Sequence, residues 1–193
     1  MKRHSMTQKI VRLAIFLAMG IVLNIVESMI PLPIAIPGIR LGLANTMGLI
    51  VLYFYSPKEY ALLGLLRVLI VGLLRTGLGS PAFMISLSGY IMSTLITIIV
   101  YSMKNASIYG LSVISAMFHQ VGQILYVMML YSLISMINYL PVLLISGSIS
   151  GLLVAFLSSK VLAMLNKIFK VKPINDNYKN EIKKAQITRI ILK

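Results

Sequence analysis

The chain has 193 residues, of which 59% are hydrophobic and only 11% are charged, with a mean hydropathy of +0.93. This composition excludes an ordinary soluble domain and indicates a membrane protein. The chain has a net charge of +14 and no cysteine, so disulfide frameworks, thiolate metal sites and redox cysteines are excluded. Because a membrane helix needs about 20 apolar residues, a chain of this length crosses a bilayer about eight times at most.

The apolar segments of the chain are continuous rather than alternating, which favours helices. Turn-forming residues separate them, among them Pro37-Gly38, Ser56-Pro57 and Gly79 to Pro81. We predict an all-α integral membrane protein with six transmembrane helices at residues 10–30, 41–56, 60–79, 82–103, 107–136 and 141–166.

The basic residues are unevenly placed along the chain. Eight of the 18 lie within 167–193, and most others lie at the N-terminus or in the second and fourth loops. The positive-inside rule then places both termini in the cytoplasm of a cell-membrane protein, and the first span is interpreted as retained rather than cleaved. We predict one membrane domain, 1–166, and a basic cytoplasmic tail, 167–193, that is attracted to anionic membrane lipids rather than to nucleic acid.

Four charged or histidine side chains lie in the predicted spans away from their cytoplasmic ends. Glu27 and Arg75 lie near the outer ends of their helices, whereas Arg67 and His119 lie near the middle. A charged side chain at the bilayer centre costs about 2.5 kcal/mol or more, so each needs a partner or a purpose. This distribution favours a polar cavity that opens to the outside and takes a small anionic or polar-aromatic molecule.

Two polar stripes at helical spacing support such a cavity. The fifth span carries Ser112, Ser115, His119, Gln123 and Tyr126 on one face, and Ser86 begins a similar stripe in the fourth. The predicted substrate-binding set is Glu27, Arg40, Asn45, Arg67, Arg75, Ser86, His119 and Gln123.

Structural interpretations of the same residues stay open at this point. Arg67 is equally able to pair with Glu27 or to cap free carbonyls, and Arg40 and Arg75 are near enough to the interface to snorkel. Serine and threonine stripes are also typical of hydrogen bonds between packed helices.

Small residues at a spacing of four let helices approach closely. Gly147 and Gly151 do this in the sixth span, where packing within the chain is expected. Ala14 and Ala18 in the first span lie in the cytoplasmic half, away from the predicted cavity. They are predicted to form an outward-facing ridge for docking a partner.

Two segments, Glu27-Ser-Met-Ile-Pro-Leu-Pro and Pro37-Gly-Ile-Arg-Leu-Gly-Leu-Ala-Asn45, resemble the signature of the membrane family called heptaprenyl diphosphate synthase component I, or the Gx transporter family. Matches continue to about residue 165. They are Leu66-Arg67-Val68, Ser86-Leu-Ser-Gly89, Ala116-Met-Phe-His119, Gly122-Gln123, Tyr139-Leu-Pro141 and Ser146-Gly147.

That family in turn is similar to the substrate-binding S components of energy-coupling factor (ECF) transporters. The resemblance implies six helices, termini inside, an external site covered by the loop 31–40, and a docking ridge that Ala14 and Ala18 match. It also implies two kinds of partner, a membrane scaffold subunit and paired ATPase subunits.

The family resemblance is compatible with two functions, transport and prenyl diphosphate synthesis. A prenyl diphosphate synthase needs clustered carboxylates for Mg²⁺, but this chain has one aspartate, Asp176, and Glu27 and Glu59 fall on opposite sides. No nucleotide-binding Gly-rich loop is present, so energy for transport must come from partner subunits. We predict a non-catalytic transport subunit without metal or cofactor; the alternative is a membrane component of a heptaprenyl diphosphate synthase or quinone-biosynthesis system.

Overall fold

The structure is a computed structural model that describes residues 6–29, 42–103 and 106–169. Within these ranges the chain is helical and contains no strand, which confirms the predicted all-α class. Helices occupy all six predicted stretches. Their bounds are α1 Met6–Met29, α2 Leu43–Phe54, α3 Pro57–Val71, α4 Pro81–Ser102, α5 Ile108–Tyr131 and α6 Leu140–Phe169.

Two short segments modify this pattern. A π-helical segment, Gly72–Thr76, continues α3, and a 3₁₀-helix, Ile134–Tyr139, precedes α6. Outside the described residues lie the loop 31–40 with Arg40, residues 104 and 105, and the tail from residue 170 onward.

Within the described ranges, four helical stretches are long and apolar enough to cross a membrane, which is consistent with a membrane protein. They are Met6–Met29, Pro81–Ser102, Ile108–Tyr131 and Ile134–Leu165. The remaining helices differ from these: α2 is apolar but has only 12 residues, and α3 has 15 residues and carries Arg67.

Serine caps begin three of the helices. The hydroxyls of Ser56, Ser80 and Ser107 accept hydrogen bonds from backbone N–H groups of α3, α4 and α5. At α3 the Ser56 hydroxyl also donates to the Glu59 carboxylate, and Lys9 of α1 forms an ion pair with the same carboxylate. This arrangement ties the start of α1 to the start of α3.

The short helix α2 lies in the centre of the molecule, in contact with α1, α3 and α6. Nine of its 12 residues are buried. Ile50 and Leu52 are fully enclosed, and the Tyr53 ring packs edge to face on Tyr101 of α4 with centroids 5.9 Å apart. The apolar core therefore forms around α2.

Glycines allow α4, α5 and α6 to pack at backbone distance. A Cβ atom on Gly122 of α5 would lie 2.6 Å from the carbonyl oxygen of Ser88. In α6, a Cβ on Gly151 would lie 2.8 Å from the Cα of Val113, and one on Gly147 would lie 3.3 Å from the carbonyl oxygen of Ala116. The predicted packing role of the two α6 glycines is confirmed.

Candidate functional site

A polar cavity of about 110 Å³ lies at the end of the bundle where α1 and α3 finish and α2 and α4 begin. All six helices contribute to its wall. Seven of the eight predicted residues line it, and Arg40 lies outside the described residues. The seven are Glu27, Asn45, Arg67, Arg75, Ser86, His119 and Gln123. The structure thus brings them together, and their binding of a substrate stays a prediction.

Glu27 is the buried acid of this cavity, with 6% of its surface exposed. One carboxylate oxygen accepts a hydrogen bond from the N–H of Gly42 at 2.6 Å, and the other accepts from Leu43 at 3.1 Å. The carboxylate therefore caps the first turn of α2, where it satisfies two amide donors and compensates the positive end of the helix dipole. The negative charge of Glu27 is therefore already compensated by the start of α2.

Arg67 projects from α3 and joins three helices. Its Nη2 donates to Oδ1 of Asn45, one turn into α2, at 2.8 Å. Its side chain lies over Gly20 of α1, where an added Cβ would be 3.6 Å from the Arg67 Cδ. The direct Arg67–Glu27 ion pair considered from the sequence is not formed; among the described residues, the salt bridge present is Lys9–Glu59. Arg67 keeps further N–H donors for the cavity.

Arg75 lies on the π-helical segment that follows α3. This segment packs closely on α4, because a Cβ on Gly72 would lie 2.3 Å from the Phe83 ring. Arg75 is exposed at the rim of the cavity, and no residue in the described ranges gives its guanidinium a hydrogen bond or ion pair. It is available to an anion that enters the cavity.

His119 and Gln123 reach the cavity from the middle of α5. They pass beside Gly89 of α4, where an added Cβ would lie 2.8 Å from the Gln123 Cγ and 3.0 Å from the His119 Cε1. Any larger residue at position 89 would displace both side chains. Gly89 therefore packs directly against His119, and His119 also lines the cavity.

Four polar residues of the same wall are absent from the predicted substrate-binding set: Asn24, Thr76, Gln120 and Ser150. Asn24 lies three residues before Glu27, so helical spacing gave a signal for it. Gln120 lies about 100° around α5 from His119, off the predicted stripe, and gave no such signal. The side-chain oxygens of Asn24 and Gln120 are buried without a hydrogen-bond partner.

A second, inner chamber of about 40 Å³ adjoins the first cavity. The two share Asn45, Arg67 and His119, which form the partition between them. The inner chamber extends along α3 and α4 toward the end of the bundle where α3 begins. Five of the residues that line only the inner chamber carry hydroxyls: Tyr60, Tyr90, Ser93, Ser112 and Ser115.

The serine stripes predicted from spacing are engaged in backbone hydrogen bonds. Ser86 donates to the carbonyl of Ala82 at 2.9 Å, and Ser93 donates to Tyr90 at 3.0 Å. Ser112 donates across the helix interface to the carbonyl of Gly151 at 2.7 Å. Of these three bonds, that of Ser112 joins two helices, as the packing interpretation requires, whereas those of Ser86 and Ser93 lie within α4. All three residues also line the chambers.

Taken together, the site offers cationic donors at the rim and partition, amide oxygens in its wall, and one carboxylate that the fold already uses. The chemistry of this lining is complementary to a small polar molecule with negative charge. Among the described residues, no group of three or more histidine, cysteine or acidic side chains is placed to hold a metal ion.

Comparisons with known proteins add one finding. Searches among curated proteins and among solved structures gave no match. A family model described as heptaprenyl diphosphate synthase component I matches residues 16–161, a range that contains all the described residues lining the cavity. The match spans well over half of the chain. The protein therefore belongs to the heptaprenyl diphosphate synthase component I family.

Proposed function

We propose that this protein is the substrate-binding membrane subunit of an ECF-type uptake transporter, which captures a small anionic or polar-aromatic molecule from outside the cell. The observation that carries the proposal is the polar cavity built by all six helices at one end of an apolar bundle. A cavity of this kind supplies binding without requiring a reacting group.

The proposed membrane arrangement has six spans with both termini in the cytoplasm. In this orientation the cavity end, where Glu27 and Arg75 lie, faces outward. The end with Lys9 and Lys58 faces inward, in agreement with the positive-inside rule. The short α2 spans within the protein rather than against lipid, because most of its surface is covered by other helices.

The proposed contact with the scaffold subunit is the ridge formed by Ala14 and Ala18. Both residues are exposed on α1, in the half of the helix distant from the cavity. Because alanine side chains are small, this ridge lets another helix approach at short distance. Paired ATPase subunits bound to that scaffold would supply the energy.

The family description favours a second candidate, a membrane component of a heptaprenyl diphosphate synthase or quinone-biosynthesis system. In that case a soluble catalytic subunit would provide the metal-binding carboxylates. Transport is preferred because it requires only a binding site and partner subunits, whereas synthesis requires clustered metal-binding carboxylates, and the membrane domain has only Glu27 and Glu59, on different helices.

The test is to tag the protein in its native membranes, extract it gently, and identify the accompanying proteins and small molecules by mass spectrometry. The wild type should retain a membrane scaffold and ATPases. The double variant Ala14→Leu with Ala18→Leu should lose these proteins but keep the small molecule. The matched control is Ile15→Leu with Met19→Leu, two exposed positions on a neighbouring face of α1, which should behave as the wild type.

Recovery of a soluble prenyl synthase subunit in place of the ATPases would contradict the transporter proposal. Loss of prenyl diphosphate formation when this chain is absent would then establish the second candidate. Full retention of the scaffold by the alanine double variant would reject the docking ridge alone.

A further inference from the structure

We propose that the molecule bound in the cavity is a compact anion that also carries hydrogen-bond donors, N–H or O–H groups, directed at the amide oxygen of Gln120 and at the oxygens of the inner chamber. This inference rests on the proposed function and narrows the class of substrate. A purely accepting anion, such as a fully ionised diphosphate or a simple carboxylate, leaves half of the site unmatched.

The requirement for negative charge comes from the two arginines. The described residues give Arg75 no partner, and Arg67 has one donor committed to Asn45. Glu27 does not neutralise them by contact, because both of its oxygens accept from the start of α2. The anionic end of the ligand therefore belongs between the rim and the partition.

The requirement for donors begins at Gln120. Its side chain is 6% exposed, it lines the cavity, and its Oε1 has no hydrogen-bond partner. An unsatisfied buried acceptor costs about 1–3 kcal/mol, so a ligand N–H or O–H at this point recovers that amount on binding. The Oδ1 of Asn24, in α1, is likewise buried without a hydrogen-bond partner, and Asn24 also lines the cavity.

The inner chamber adds acceptors of a different kind. Ser93, Ser112 and Ser150 each place a hydroxyl within 3.0 Å of a backbone carbonyl oxygen. A carbonyl oxygen has no hydrogen to give, so in each pair the serine hydroxyl is the donor. The hydrogens of these three hydroxyls are thus committed, so toward a ligand in the chamber they can act only as acceptors. A ligand N–H or O–H group that enters the chamber therefore finds acceptors there.

The experiment uses two probes of nearly equal size, since a hydroxyl and a methyl group occupy similar volumes. The probes are 3,5-dihydroxybenzoate and 3,5-dimethylbenzoate, and the full-length protein is held in lipid nanodiscs for calorimetric titration. Neutral 3,5-dihydroxybenzyl alcohol tests the requirement for charge. We expect the dihydroxy anion to bind at least about tenfold more tightly than the dimethyl anion, as one satisfied buried acceptor implies.

The variant Gln120→Met keeps the length of the side chain and removes the amide. It should reduce the preference for the dihydroxy anion by about tenfold while leaving the dimethyl anion unaffected. Asn24→Leu serves as a second variant in case Gln120→Met does not fold. Gln8→Met, on the exposed first turn of α1, is the matched control and should change neither affinity.

Equal binding of the two anions, or a preference that survives in Gln120→Met and Asn24→Leu, would overturn the inference. Failure of both anions to bind a folded protein would overturn it as well. Neither result touches the proposed transport function, which is decided separately by whether the scaffold and ATPases accompany the protein.

Discussion

The first two helices are opposites in length and burial. Helix α1 has 24 residues, of which two are buried, whereas α2 has 12 residues, of which nine are buried. Both are apolar, so hydropathy does not distinguish a helix that faces lipid or a partner from one that forms the core. The two helices therefore have separate roles. Helix α2 positions residues of the site, whereas most of α1 is accessible at the surface of the bundle.

Helices α1 and α2 pack against each other, and the Glu27 cap is a polar contact between them. The carboxylate at the end of α1 holds the start of α2, and Asn45 one turn later holds Arg67. The peripheral helix thus acts on the arginine of the cavity through the central helix. The following predictions test that division, beginning with the largest effect.

The largest effect is expected from a cavity in α2. Leu52→Ala removes a fully buried side chain and should lower the free energy of unfolding by about 2 kcal/mol or more, because its neighbours lose packing contacts. Val22→Ala in α1, where the side chain is 57% exposed, should change it little. Thermal unfolding in one detergent measures both. Similar losses would show that α1 is as well packed as α2.

An intermediate effect is expected at the joint between the two helices. Glu27→Leu leaves the amides of Gly42 and Leu43 without an acceptor and should lower the free energy of unfolding by about 1–3 kcal/mol. Glu27→Gln keeps one accepting oxygen and should lose less. The readouts are the thermal midpoint and affinity for 3,5-dihydroxybenzoate. Wild-type behaviour of Glu27→Leu would mean that apolar contacts alone join the helices.

The smallest effect is expected at the opposite end, where Lys9 pairs with Glu59. Partial burial by itself raises the pKa of Glu59, but hydrogen bonds from Lys9 and Ser56 outweigh it, and the pKa lies below 4.5. A carboxyl whose pKa is lowered by folding stabilises the protein above its unfolded pKa, and this contribution disappears as the pH falls through the lowered value.

A partly exposed ion pair contributes at most about 1 kcal/mol. The thermal midpoint of Glu59→Gln should therefore lie slightly below that of the wild type at neutral pH. The two midpoints should converge as the pH falls below the pKa of Glu59. A difference that persists in acid would assign the effect to the helix cap at Ser56 instead of the charge.

Much of the fold was predictable because its signals are local. Apolar length and the Ser-Pro and glycine breaks located the six α-helices of the described ranges, and the charges expected to avoid lipid did converge on one cavity. An apolar bundle offers ionisable side chains few polar surroundings, so these few residues were enough to predict a cavity.

The missed features depend on the third dimension. The role of Glu27 as a cap requires the start of α2 to fold back onto the end of α1, and nothing local predicts that approach. Gln120 faces the cavity because Gly147 lets α6 come close beside it, with an added Cβ only 3.2 Å from the Gln120 Cγ. The π-helical segment gave no sequence signal that spacing could detect.

The π-helical segment Gly72–Thr76 sets the direction in which side chains point at the cavity end of α3. A π-helical turn holds one residue more than an α-helical turn, so it behaves as a one-residue insertion in the helix. Deleting one residue there would let α3 continue as a regular helix and rotate the following side chains by about 100°. Arg75 would leave the cavity without any change in its identity. The presence of the Arg75 charge in the cavity thus depends on the rotation that this segment gives to the helix. A one-residue change in chain length would be enough to remove that charge.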